Sequence, residues 1–170
     1  CNASCQFVKN SSAITICGAK LCIGNNGVTP AGGVHVEIRA NSTTLCDPGG
    51  AGGYTPNTNC PDPDTQIGDN SDVFDTTSID TQMQSVPNGD CGTANNGEIV
   101  TFSWSAGKPT PSSDLWLCLV SETSGGIDQS IRWGTSTDNT SPAPGYEDTV
   151  YDAFDNRFDR GQDYYFTVRT

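Results

Sequence analysis

At 170 residues, 34% of them apolar, the chain has the length of one domain and enough apolar material for a hydrophobic core. A net charge of −12, from 8 Lys and Arg against 20 Asp and Glu, argues against nucleic acid and anionic membrane surfaces as partners, since both require clustered basic residues. No apolar run is long enough to span a bilayer, so membrane insertion is not expected.

The cysteines place the chain in an oxidising compartment. There are eight, at Cys1, Cys5, Cys17, Cys22, Cys46, Cys60, Cys91 and Cys118, with no CxxC pair. An even count without close doublets reads as a disulfide framework, and a single histidine, His35, leaves little to complete a zinc site. Four sequons, at Asn2, Asn10, Asn41 and Asn139, agree with secretion and glycosylation. Cys1 reads as the residue left after a leader is removed. The expected location is extracellular.

Taken in order, residues 1–11 are polar, carry two cysteines and two sequons, and form an amino-terminal arm outside the main domain at 12–170. Residues 12–17 alternate and predict a first strand, which 21–23 continue beyond a bend at Gly18. A turn follows at 24–27. Residues 34–40 are the clearest strand, with Val34, Val36, Ile38 and Ala40 on one face. His35, Glu37 and Arg39 lie on the other, expected to be wet. Residues 41–70 form a long Gly/Pro/Asp/Asn loop. A Cys46–Cys60 bridge would pin it, closing a ring of roughly 15 residues worth about 3 kcal/mol.

A weak polar edge strand is expected over 76–86, around Ile79 and Met83. Residues 98–104 and 115–120 are the main core candidates, the second apolar on both faces and therefore central. Residues 130–133 predict a short strand, and Val150 and Phe154, four apart, predict a helical turn within 147–158. The chain closes on a strand over 163–170. Short strands broken by turn residues throughout predict an all-β fold, a single antiparallel β-sandwich of immunoglobulin-like or jelly-roll type, stapled by disulfides, with long Gly/Pro/Asp/Asn-rich loops.

Residues carrying chemistry are sparse. Any Ser-His-Asp or Cys-His set has to use His35, whose place on a polar strand face favours a solvated bystander. No carboxylate pair stands out for glycoside cleavage, so no catalytic residue is assigned, and a carboxylate-dependent hydrolase ranks third among the functions. Two acidic stretches are weak calcium candidates: Asp62, Asp64, Asp69, Asp72 and Asp75, and then Asp155, Asp159 and Asp163. No cofactor is expected apart from structural calcium. Trp104 and Trp116 read as core, whereas Trp133, between Arg132 and Gly134, is the candidate for stacking on a glycan.

The leading expectation is a non-enzymatic, glycosylated extracellular structural protein. It self-associates into a surface filament or coat through its amino-terminal arm and intersubunit disulfides. The alternative is a monomeric secreted binding module or effector that recognises carbohydrate or protein.

Overall fold

The computed structural model describes residues 3–8, 10–25, 27, 32–42, 62–79, 97–122, 131–134, 146–151, 157–159 and 166–170. They are mostly strand, with antiparallel pairing throughout. In chain order the strands are β1 (Ala3–Val8), β2 (Gly18–Asn25), β3 (Gly33–Ser42), β4 (Asp62–Gln66), β5 (Phe74–Asp75), β6 (Glu98–Ser103), β7 (Leu115–Ser121), β8 (Ile131–Trp133), β9 (Tyr146–Tyr151), β10 (Arg157–Asp159) and β11 (Phe166–Arg169). A 3-10 turn spans Thr76–Ser78.

Two sheets result. The larger has the order β10-β9-β1-β7-β3-β4, with β5 also on β3, and the smaller runs β11-β2-β6, with β8 also on β2. Ile23 pairs with both Glu98 of β6 and Trp133 of β8, so β8 lies on the side of β2 away from β6. It follows β11 along that same edge, because Leu21 pairs with Phe166 there and Val100 opposite. By the same reasoning β5 and β4 share the outer edge of β3, at Val34 and Arg39.

One hydrophobic cluster draws on both sheets. Val34, Val36, Ile38, Leu115, Leu117 and Leu119 come from the larger sheet, and Ala19, Leu21, Ile23, Val100, Phe102 and Phe166 from the smaller. The double-faced character of 115–120 has its reason here. Leu115, Leu117 and Leu119 enter this core, while Trp116 and Cys118 join Cys5 and Val120 in a second buried cluster on the other face. The centre of the larger sheet is therefore buried on both sides.

The stretch 3–8, set apart above as an arm, runs inside this sheet between β7 and β9. Cys5 and Gln6 are buried there, and Cys5 is bonded to Cys118 of β7, so ladder and disulfide together dock the segment. Residues 12–17 are not a strand. The amides of Ile14 and Ile16 donate to the carbonyls of Pro111 and Pro109 at 3.1 and 2.9 Å, but proline has no N–H to return, so no ladder forms. The strand starts instead at Gly18, the residue read as a bend.

Three further differences have local causes. Phe74–Asp75 is strand, but 76–78 turn, because the Asp75 carboxylate accepts the Thr77 amide and hydroxyl at 2.9 and 2.8 Å and competes with the ladder. Ile79 then drops into the core, 1% exposed. Residues 146–151 and 157–159 pair as a hairpin, Val150 opposite Phe158 and Gln6, so strand pairing overrides the four-residue spacing that suggested helix. Asp62–Gln66 is a strand within the long loop, while most of 41–61, the Cys46–Cys60 pairing and Met83 lie outside the described residues.

At one end a tight crossing is built on glycine. Gly107 has φ +50° and a Cβ there would strike the Asp69 carboxylate, while the Asp69 amide donates to the Gly107 carbonyl at 2.8 Å. Trp104 Nε1 donates to the Asp69 carbonyl at 2.8 Å, fixing the indole beside this crossing.

Candidate functional site

Among the described residues, the cluster of ionisable side chains that the fold buries is on β3. Alternation puts His35, Glu37, Arg39 and Asn41 on the face away from the main core. They lie beside β7, with Val120 opposite His35, Cys118 opposite Glu37 and Trp116 opposite Arg39. The face expected to be wet is closed: His35 is 5% exposed and Glu37 8%. The polar alternation was real, but the strand lies in an interior position between β7 and β4, under a second buried cluster.

Glu122, His35, Glu37 and Arg39 form one chain of contacts. His35 Nδ1 is hydrogen-bonded to Glu122 Oε1, just beyond the end of β7. His35 Nε2 meets Glu37 Oε1 at 3.1 Å, and Arg39 Nε donates to Glu37 Oε2 at 2.7 Å. An Arg39 terminal nitrogen donates to the Asp64 carbonyl on β4 at 3.0 Å. Further along the same face of β3, as a separate contact, Trp116 Nε1 donates to Asn41 Oδ1 at 3.1 Å.

Burial is the largest single influence on His35 and lowers its pKa. The hydrogen bonds and charges of Glu37 and Glu122 together outweigh it and hold His35 above its ordinary value. Glu37 is held below its ordinary value, chiefly by its hydrogen bond to His35 and also by Arg39, against the opposing effect of burial. The arrangement suits pairing of a protonated His35 with both carboxylates. Both ring nitrogens of His35 are engaged by carboxylates, so no free lone pair faces a serine or thiol, and Cys118 is oxidised.

A metal does not fit this cluster either. The two carboxylates approach opposite nitrogens of one ring and do not converge, and among the described residues no three His, Cys, Asp or Glu could hold an ion. Within the first acidic stretch, Asp72 accepts from Ser105 Oγ at 2.5 Å, and Asp75 caps the 3-10 turn. Asp159 lies in β10, while Asp155 and Asp163 are outside the described residues.

Trp133 is not available for stacking. It is 8% exposed and belongs to the main core, because its pairing with Ile23 turns the indole inward. Trp104 and Trp116 are buried as expected, at 2% and 0% exposure. Of the sequon asparagines, Asn10 and Asn41 are half-buried. Asn10 donates through its side-chain amide to the Pro111 carbonyl at 3.4 Å, and Asn41 accepts from Trp116. Asn2 and Asn139 lie outside the described residues.

Cysteine pairing is now partly visible. Cys5 is bonded to Cys118, and Cys22 is also in a disulfide. Cys17, expected in the framework, carries a free thiol and is half-buried. Cys1, Cys46, Cys60 and Cys91 are outside the described residues.

Sequence reasoning missed the ionic cluster. The His35, Glu37, Arg39 alternation is a legible signal, since side chains two apart on one strand face can pair laterally. Glu122 is 87 residues from His35 and carries no local sign of its role. The chain matches no known protein family, no curated protein and no solved structure.

Proposed function

We propose that the chain is a secreted, glycosylated β-sandwich that serves as a non-catalytic structural building block and joins other copies of itself in an extracellular filament or coat. The sandwich reading is supported by a single core cluster drawn from the facing sides of two antiparallel sheets. The non-catalytic reading is supported by where the polar chemistry is spent. The single histidine is 5% exposed, and its two carboxylate contacts run along β3 to Glu37 and across to Glu122 at the end of β7.

Cysteine arithmetic is the observation that carries self-association. With Cys17 free, the other seven of the eight cysteines close at most three bridges within the chain, so at least one more thiol is left beside it. In an oxidising compartment such thiols find partners, in the same chain or in another copy, and the self-associating reading assigns the Cys17 bond to another copy. Because Cys5 is already bonded within its own chain, the covalent link is assigned away from it.

Electrophoresis of natural material, with and without reductant, tests this reading. A ladder of multiples that collapses on reduction supports it. A monomer in both lanes, with no particle by electron microscopy, overturns it.

A further inference from the structure

We propose that His35 is held as an imidazolium and acts as a proton-dependent latch, fastening the carboxy-terminal end of β7 to β3 through Glu122. The argument rests on valence. A carboxylate oxygen faces each ring nitrogen, Glu122 at Nδ1 and Glu37 at Nε2, and a carboxylate can only accept. A neutral imidazole has one N–H, so it satisfies one of the two contacts. Only the doubly protonated ring satisfies both.

Charge agrees with valence. Among the described residues the charged groups facing this ring are Glu37 and Glu122, with Arg39 one step beyond on Glu37. β7 places uncharged Val120 opposite it, β1 brings Cys5 in its bridge to Cys118, and β4 offers only the Asp64 carbonyl, to Arg39. On β5, Asp75 is exposed and turned to Thr77. Two carboxylates against Arg39 and an imidazolium sum to zero. Removing the proton leaves one unmatched negative charge in a closed setting, which is costly.

The two glutamates respond unequally. The Glu37 side chain is 10% exposed and keeps Arg39, whereas that of Glu122 is 40% exposed and can turn into water. Neutral His35 therefore keeps its proton on Nε2 for Glu37 and presents a lone pair to Glu122, which leaves. The end of β7 then loses this side-chain fastening and keeps its backbone contacts, such as the Glu122 amide to the Gly33 carbonyl at 2.9 Å. The device is a local release, not unfolding.

Because the chain has one histidine, labelling histidine with nitrogen-15 gives an unambiguous probe. The expected spectrum below the titration shows both ring nitrogens protonated, with a midpoint above the ordinary 6.5, and the proton on Nε2 above it. Glu122→Gln, a change at an exposed side chain, lowers that midpoint. Amide exchange at residues 120–122, corrected for intrinsic rate, rises several-fold through the titration in the unaltered chain and does not change there in the variant. A ring carrying one proton throughout, a midpoint unmoved by Glu122→Gln, or protection of 120–122 that ignores the titration would each overturn the latch.

Discussion

Cys5 and Cys118 face each other across β1 and β7 with their Cα atoms 4.0 Å apart, joining positions 113 residues distant in the chain. Their bridge lies in the same buried face as the His35 cluster, since Glu37 is the neighbour of Cys118 on the other side. The first strand of the chain is thus fastened to the centre of the larger sheet by covalent and ladder bonds together.

A bridge closing a ring of that length is worth roughly 4–5 kcal/mol in the chain-entropy account. The double variant Cys5→Ser, Cys118→Ser is expected to lose about that much stability in urea unfolding, with residues 3–8 the first to lose amide protection. A loss near zero would mean that β1 is held by its ladder alone.

Stability should depend on pH through the same cluster. Glu37 is lowered in the folded state, so its contribution is complete above the ordinary value of 4.5 and is lost as pH falls through the folded value. His35 is raised, so its contribution is complete below the ordinary value of 6.5 and is lost as pH rises through the folded value. Both are complete between those two values. A plateau of thermal stability is expected in that mildly acidic window, with the alkaline decline absent in His35→Gln. A maximum above neutral pH would contradict the assignment.

Gly107→Ala should be more costly than an ordinary loop change. Its positive φ disfavours a side chain, and the added carbon meets the Asp69 carboxylate. A loss of about 1–3 kcal/mol is expected from the strain alone. It should come with a shift in Trp104 fluorescence, because Asp69 holds that indole. An unchanged melting temperature would show that the crossing yields freely.

Trp133→Ala distinguishes core from binding surface. As a core residue it should cost about 3–5 kcal/mol on removal. A stable variant that has lost affinity for a glycan would instead return Trp133 to the surface role suggested by its sequence neighbours.

Much of the fold was legible because pattern and burial agree in β3, β6 and β7. The run 115–120 announced a strand covered on both sides, and the alternation of Val34, Val36 and Ile38 announced the core face. What sequence could not show was long-range. Residues 3–8 are a short run set between polar neighbours, Asn2 on one side and Lys9 and Asn10 on the other, and their place comes from pairing with a strand more than a hundred residues away. His35 looked solvated because its neighbours are charged. Its burial follows from an interior strand position, which periodicity does not encode. Trp133 misled for the opposite reason: its flanking Arg132 and Gly134 suggested exposure, while its register with Ile23 settled its direction.

Self-association is the central claim, and the bonding partner of Cys17 tests it most directly. Protein assembled from a mixture of nitrogen-15-labelled and unlabelled chains would be digested unreduced, and the peptide containing Cys17 weighed. The account predicts a disulfide-linked peptide pair with one heavy and one light half, which only a bond between copies produces. A Cys17 peptide found as a free thiol, or linked solely to peptides of its own isotope, would contradict it.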